Sequence, residues 1–496
     1  MRFPYKRNDI SDLNIKKMFK KLENENPSKR IKYDKPFFFR QINFDINTFL
    51  FRYTYIDHPS SNYENFDTLS DMFQEYNRIR CKRLSAEYSV YDYFINNQEK
   101  IKEYTLQKYK KIDNYNLREA IHDLYGKRYE CSSFRPMNLR IIIDMFNVKS
   151  ILDFSSGWGD RLIGAMASGV EYVGIDANPE LFKGYEEMIN FFGKSPEKYL
   201  MINSPAEKAT IPKRDYDLVF TSPPYFALEK YTNHKNQSLE QYNSMNKWLE
   251  KFLFVSIKKC YDLLIDNGHL VININQYNRN EDYVVRMIDY INNLSDSHFL
   301  GVIGYRIEKN AQPIWIWKKS KELPKDLYNS NVSISKTERI NIRVFRLDDL
   351  KQLEVLFSKK ENMKNIYNGK VLSKKETKDK LINNYIKQQY SMYAIEHKKK
   401  IIGIVGYYNG KYLDNRLKNK MLLRIMIDED YRRKGFGQES SILIIKYLIN
   451  VLGYKKIYSL IKIDNSASIQ LRKKLKFKEV SKMNIRRKDY ILFFTK

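Results

Sequence analysis

The sequence predicts an α/β protein: a parallel-sheet domain in mid-chain, a smaller mixed α+β domain after it, and a mainly helical, basic region before both. Three observations carry this expectation. Over residues 131–319, short β-branched runs alternate with helical patterns, as in a parallel sheet covered on both faces. A polar stretch at 320–338, with Pro324 and several Ser and Asn, reads as a linker. From 339 to 496 the pattern changes to clustered strands with a long helix between them.

The first 130 residues are polar, charged and rich in Tyr and Phe, with a long helical stretch at 97–125. Arg78, Arg80, Lys82 and Arg83 lie beside Tyr76, Tyr88, Tyr91 and Tyr93; cations interleaved with rings suit phosphates and bases, and equally a solvated face. In the middle region, 150–154, 172–176, 199–203, 217–221 and 269–275 read as strands. Residues 160–167, 179–192 and 246–264 read as helices, and 299–305 with 313–318 as a closing antiparallel pair. The last region shows strands at 341–346, 391–396, 401–408, 421–428, 456–461 and 490–494, with a helix at 436–451.

At 496 residues the chain has room for about three domains. A formal charge of +29 points to a polyanionic partner, although the abundance of Lys, Asn, Ile and Tyr also fits AT-rich coding. Cys81, Cys131 and Cys260 are far apart and form no CxxC pair. That pattern argues against a disulfide framework or a zinc cluster, and for a reducing compartment. The N-terminus has no apolar leader, and the run 442–452 is broken by Lys446. An intracellular, soluble, cytoplasmic protein without a membrane partner is expected.

Two motifs carry chemistry in the middle region. Ligands of a parallel sheet bind beyond the carboxyl ends of its strands, and Ser155, Gly157 and Gly159 fall just after the first one. Leu162 stands where a dinucleotide fingerprint would have its third glycine. Asp176, ending the second strand, is placed for ribose hydroxyls, and Glu207, after the third, for an adenine; Asp153 is placed for a cationic methionine end. The ordered set predicts S-adenosylmethionine as cofactor. Ser222-Pro223-Pro224-Tyr225, ending the fourth strand, supplies acceptors: the prolines fix φ and remove N–H donors. An exocyclic base amine is a poor nucleophile because its lone pair is conjugated. Ser222 and the Pro223 carbonyl would accept its hydrogens while Tyr225 stacks on the extracted base. The following loop, with Glu229, Tyr231 and His234, is placed to touch the nucleotide.

The order Ser133-Phe134-Arg135-Pro136, DFSSGWGDRL, GIDANPE and TSPPYF resembles the amino-methyltransferases of phages and large DNA viruses, over about 131–319. The closing Gln312 to Lys318 is similar to that family's terminal strand. The resemblance implies a Rossmann-like class I methyltransferase fold, S-adenosylmethionine as donor, with Phe134 and Arg135 joining its site, and an adenine or cytosine amino group as acceptor. A viral chain would act in host cytoplasm or a virus factory. In the family a Ser before the prolines leans toward cytosine and Asp or Asn toward adenine, so the base stays open.

In the last region, Arg432-Arg433-Lys434-Gly435-Phe436-Gly437 follows a strand and opens a helix, an anion nest suited to a pyrophosphate. It resembles the R-x-x-G-x-G loop of GNAT-type acetyltransferases, and residues 465–477 resemble that family's last helix. The resemblance implies acetyl-CoA, held by this loop with Ile427 and Asn465. Arg472 stands where the family commonly has the Tyr that protonates the departing thiolate, and Lys476 where it has Gly.

The combined expectation is methylation of a nucleic-acid base, DNA before RNA, joined to an acyltransferase with an unknown amine acceptor, protein or small molecule. Rival readings are stepwise base hypermodification, DNA methylation with protein acetylation, and a non-enzymatic packaging protein that keeps both folds as binding modules.

Overall fold

Four apolar runs, Ile151–Leu152, Tyr172–Ile175, Leu218–Phe220 and Leu270–Ile272, set the centre of the molecule, and nearly every side chain in them is fully buried. Successive residues alternate between two separate clusters: Ile151, Leu218, Phe220 and Val271 in one, Leu152, Val219, Leu270 and Ile272 in the other. A strand buried on both faces needs apolar residues at every position, hence the continuous runs. A computed structural model describes residues 1–32, 55–58, 66–232, 234–276, 281–307, 310–322, 324, 333–366, 369–386, 391–418, 420–450 and 454–495.

In chain order the strands of the first two regions are β1 (Ile31–Lys32), β2 (Tyr55–His58), β3 (Lys82–Arg83), β4 (Ser150–Asp153), β5 (Glu171–Asp176) and β6 (Tyr199–Asn203). They continue with β7 (Tyr216–Thr221), β8 (Glu229–Lys230), β9 (Leu264–Asn273), β10 (Ser297–Ile307) and β11 (Asn310–Lys319). Nine of them form one sheet in the order β1-β2-β10-β11-β9-β7-β4-β5-β6. From β9 to β6 all pairings are parallel, and β11 closes antiparallel on β9. The chain therefore winds outward from β4 in both directions, and a crevice opens beside β4 where the winding reverses. Helices Pro136–Phe146, Asp160–Ser168 and Phe182–Phe192 cover one face; the turn Trp248–Leu253 with helices Phe254–Asp262 and Tyr283–Asn292 covers the other.

The N-terminal region does not stand apart from this sheet. Strand β2 extends it by pairing in parallel with β10, and β3 pairs with β8. Ile15, Phe19, Leu22, Leu69 and Met72, from helices Asp12–Asn24 and Thr68–Arg78, share one core with the first helical layer. The expected helix at 97–125 is broken: Lys110 turns left-handed (φ 62°), and Asp113 caps a new helix, Asn114–Ile121, by accepting from the Asn116 N–H at 2.8 Å. Against the expectation of unpaired thiols, Cys81 and Cys131 are joined in a disulfide, 50 residues apart in sequence. Cysteine spacing held no signal for this, because the fold brings the two together.

The last region forms an eight-stranded sheet. Its strands are β12 (Ser333–Lys336), β13 (Asn341–Arg343), β14 (Ser391–His397), β15 (Lys400–Asn409), β16 (Met421–Ile427), β17 (Ile457–Lys462), β18 (Lys478–Ile485) and β19 (Lys488–Thr495), ordered β12-β13-β14-β15-β16-β17-β19-β18. Only β16 and β17 run parallel. β12 lies within the expected linker, of which residues 323 and 325–332 are outside the described residues. β18 had no sequence signature, since nearly all its residues are exposed and polarity does not alternate.

At the start of this domain Arg343, 2% exposed, holds Asp349, 1% exposed, through two bonds of 2.9 Å, and donates to Glu396 at 2.7 Å. Removing one partner leaves a buried charge uncompensated. Arg343→Met is expected to destabilise the domain by about 3–5 kcal/mol, read by denaturant unfolding. A loss below about 1 kcal/mol would show that water reaches the pair.

Candidate functional site

A cleft opens at the carboxyl ends of β4, β5, β6, β7 and β9. The turn after β4 shapes its floor. Asp153 is fully buried and receives the Arg161 guanidinium (Nε to Oδ2, 2.6 Å) and the Tyr172 hydroxyl (2.6 Å). Arg161 also donates to the Ser155 carbonyl, so one cation fastens the strand end, the turn and helix Asp160–Ser168 together. Asp153 is thus spent on architecture and does not line the cleft, contrary to the expected contact with a methionine end. Arg135 also lies outside the lining, with its Nε 3.7 Å from Asp67.

Gly157 and Gly159 play different parts. Gly157 (φ 60°) lines the cleft, and a Cβ added there would meet nothing within 4 Å. Its backbone is exposed for close approach, while an L side chain would be strained and would project into the space. Gly159 (φ 83°) is packed instead: a Cβ would come within 2.7 Å of Met188 Sδ. It opens the helix and makes no cleft surface.

Asp176 accepts the Gly157 N–H on Oδ2 at 2.8 Å and the Asn178 N–H on Oδ1 at 2.9 Å. Burial raises its carboxyl to about 6, partly offset by these bonds. Glu207 accepts from the Tyr242 hydroxyl at 2.9 Å on Oε1, while its buried Oε2 has no partner. Glu207 lines the cleft, and its buried oxygen is an acceptor left without a donor. Ser155 and Phe134 also line the space, Phe134 with its ring 5.1 Å from that of Phe220.

Ser222, Pro223, Pro224 and Tyr225 form the opposite wall. The Tyr225 hydroxyl donates to the Asn273 carbonyl at 3.2 Å and lies 3.5 Å from Ser222 Oγ, which fixes the ring's orientation. Sequence reading missed Trp158, Gln237 and Asn273, which complete the lining. Asn273 ends an apolar strand, and a polar residue at that point was an available signal. Gln237 holds the Tyr231 and Thr232 N–H groups at 2.7 and 3.0 Å, and so closes the loop behind Tyr225. Among the described residues His234 bonds only within its loop, its Nδ1 accepting from the Asn236 N–H at 3.3 Å.

Of the N-terminal cations, Arg78 is buried between Asp71 (2.8 Å) and Glu130, and so is a structural ion pair rather than a phosphate contact. Arg80 is sandwiched between the rings of Tyr76 and Tyr91, 3.5 and 3.7 Å from their centres. Arg83 approaches Glu229 at 3.6 Å, and Tyr93 stacks on Tyr125.

In the C-terminal sheet, β16 and β17 register at a single pair, Leu422 with Tyr458, and their ladder ends there. Ile427 closes β16, and 432–437 leads into helix Phe436–Asn450 with Arg433 (φ 61°) and Gly435 (φ 84°) left-handed. Arg432 folds back onto the Ile427 carbonyl (3.0 Å) and Asn362 (3.1 Å), and Lys434 onto the Asp430 carbonyl (2.8 Å). Phe436 is core, and Gly437 contacts no atom closer than 3.6 Å to an added Cβ. Asn465 caps the next helix, its side chain accepting from the Ser468 N–H at 3.2 Å. Asp428 is held by Lys359 and Asn362, at 2.8 and 3.1 Å.

Arg472 is 3% exposed and donates to Ser459 (2.9 Å) and Ser441 (3.4 Å). Burial lowers it to about 10, so it stays cationic at neutral pH. Lys476 (φ 60°) terminates that helix in the left-handed conformation that favours glycine.

Residues 339–478 match the family described as acetyltransferase (GNAT) domain, and the C-terminal region is a domain of that kind. A mouse alpha/beta-tubulin-N-acetyltransferase 9 is 41% identical over 64 residues, 13% of this chain and 27% of its own length. The chain thus spans about a quarter of that relative. Similar solved structures include a GNAT-family acetyltransferase from Bacillus anthracis (17% identity, 32% of this chain, 95% of its own, TM-score 0.28). Another is a ribosomal L7/L12 alpha-N-protein acetyltransferase in complex with coenzyme A (15% identity, 33% and 97%, TM-score 0.29). Among the described residues, no helix is long and apolar enough to cross a membrane.

Because the folded state raises the Asp176 carboxyl above its unfolded range near 4, it favours the protonated form. The associated stability is full at low pH and is lost as pH rises through about 6. Asp176→Asn is expected to flatten that slope in unfolding measured between pH 4 and pH 7, and an unchanged slope would remove Asp176 as its source.

Proposed function

We propose that the middle region is an S-adenosylmethionine-dependent methyltransferase acting on the exocyclic amine of adenine or cytosine in nucleic acid, DNA before RNA. One observation carries the reading: Gly157, Asp176, Glu207 and Ser222 to Tyr225, drawn from the ends of four parallel strands, line one cleft. The cleft fits the donor, since Gly157 leaves a bare backbone beside the Asp176 carboxylate, in a lining that also holds Glu207 with its unpaired oxygen. When bound, S-adenosylmethionine supplies an electrophilic methyl group on sulfonium.

The chain's own residues do the rest. Asp176 and Glu207 accept hydrogen bonds from the donor's sugar and base. Ser222 Oγ and the Pro223 carbonyl accept the two amine hydrogens and draw the nitrogen lone pair out of conjugation. As the N–C bond forms the sulfonium S–C bond breaks, leaving a neutral thioether, and the amine proton passes through Ser222 Oγ to water. Tyr225 stacks on the base, held by its bond to the Asn273 carbonyl.

Ser222→Ala and Tyr225→Ala are each expected to lower methylation roughly 10- to 100-fold, read by mass spectrometry of nucleosides from expressing cells. Wild-type methylation in both variants, or an unmodified base with wild-type protein, would end this reading.

We infer further that the GNAT domain transfers an acetyl group from acetyl-CoA, its pyrophosphate seated on the N–H groups after Arg432. The acceptor is an amine, of protein or of the same nucleic acid. Arg472 is committed to Ser459 and Ser441, so the departing thiolate takes its proton from the amine that gains the acetyl group, directly or through water. Gly435→Val is expected to weaken acetyl-CoA binding about tenfold or more by calorimetry, because φ 84° excludes a branched side chain. Equal affinity would move the pyrophosphate elsewhere.

A further inference from the structure

One end of the C-terminal sheet carries more charge than a coenzyme loop requires. The pairs His397↔Lys400 and Ile485↔Lys488 close two-residue hairpins, and the register Gly403↔Ile427 and Lys462↔Tyr490 puts both tips at the carboxyl ends of β16 and β17. The tips are Lys398-Lys399 and Arg486-Arg487, with Arg433 in the loop between them. All five are exposed, and their side chains make no hydrogen bond, ion pair or ring contact among the described residues. Their neighbours Arg432, Lys434 and Arg339 are instead tied to carbonyls of the domain.

The backbone makes this placement informative. Lys398 (φ 47°), Lys399 (φ 64°), Arg486 (φ 49°) and Arg487 (φ 60°) are all left-handed, as a two-residue hairpin of this hand demands. Asn-Gly relieves that demand, and a β-carbon at both positions does not. Each tip therefore accepts a strained backbone and two adjacent like charges where an unstrained neutral pair was available. Seven of the eleven left-handed non-glycine residues in the described chain are Lys or Arg, well above the share of 88 in 496 that composition alone supplies. Strain kept at a particular spot points to use.

The two tips stand four strand spacings apart, at least about 20 Å, because the β16·β17 ladder ends before reaching them. A nucleic-acid strand presents several phosphates over that distance. None of the tip residues offers the apolar or aromatic anchor around which protein interfaces form. We propose that the two hairpin tips form a docking surface for the phosphodiester backbone of nucleic acid, flanking the coenzyme loop but not part of it. It holds the chain on its polymer through backbone charge, without reading sequence. The proposal does not rest on the methyl-transfer reading.

The test uses the full chain and a labelled oligonucleotide of about 20 residues, single-stranded and duplex, by fluorescence anisotropy between about 50 and 200 mM salt. Lys398→Asn with Lys399→Gly, and Arg486→Asn with Arg487→Gly, restore the favoured turn residues. Combining both pairs is expected to reduce the slope of log affinity against log salt by about 3 to 4. The same variant should melt higher, by roughly 2–4 °C per hairpin, so that weaker binding cannot be ascribed to unfolding. An unchanged slope overturns the proposal. So does a loss confined to acetyl-CoA affinity, which would assign the rim to the coenzyme, and so does a fall in melting temperature, which would refute the strain. Equal slope changes on single strand and duplex mark a pure backbone contact; a change on one alone names the form that docks.

Discussion

The buried contact between Asp153 and Arg161 governs the middle region. Asp153 ends the first strand of the winding, Arg161 begins the helix that follows, and the guanidinium spans the turn between them to reach the Ser155 carbonyl. Burial alone would oppose both charges, so each is stable only while the other is in place. Tyr172, from the adjacent strand, donates a second bond to the same carboxylate and locks two strand ends at one height. The backbone of Gly157 is thereby held at a fixed level above the sheet, and Asp176 meets it from the neighbouring strand. A cleft floor made of main chain is only as precise as the groups that pin it.

The C-terminal domain solves a comparable problem differently. There the pinning ion pair joins Arg343 of β13 to Asp349, and the loop at 432–437 is held by the Arg432 and Lys434 side chains, which donate to nearby carbonyls. Cations that look available to a ligand in the sequence are partly committed to shape. The same holds at Arg78, whose two carboxylate partners come from positions 71 and 130.

Much of this was legible beforehand, for physical reasons. Strands buried on both faces leave continuous apolar runs, so β4, β5 and β7 were placed within a residue or so of their ends. The site turn after β7 was legible because two successive prolines admit few backbone shapes. What escaped was non-local. Nothing near Asp153 says that a residue eight positions on will consume it, and nothing near Gly159 says that Met188 will pack against it. Edge strands such as β12 and β18 escaped because an exposed strand has no buried face to impose alternation. The disulfide escaped because its two halves are neighbours only after folding.

The first 130 residues also give the sheet something it lacks by itself. β2 lies along β10, and β3 bridges to β8 beside the cleft, with Cys81 of the disulfide immediately before β3. A fragment cut at Glu130 to isolate the middle region would bare the edge of β10 that β2 covers, from Gly304 to Ile307. Such a border invites another copy of itself to complete it. The boundary visible in composition is therefore a poor place for scissors, and a shortened version would be prone to stack into aggregates before it revealed any chemistry.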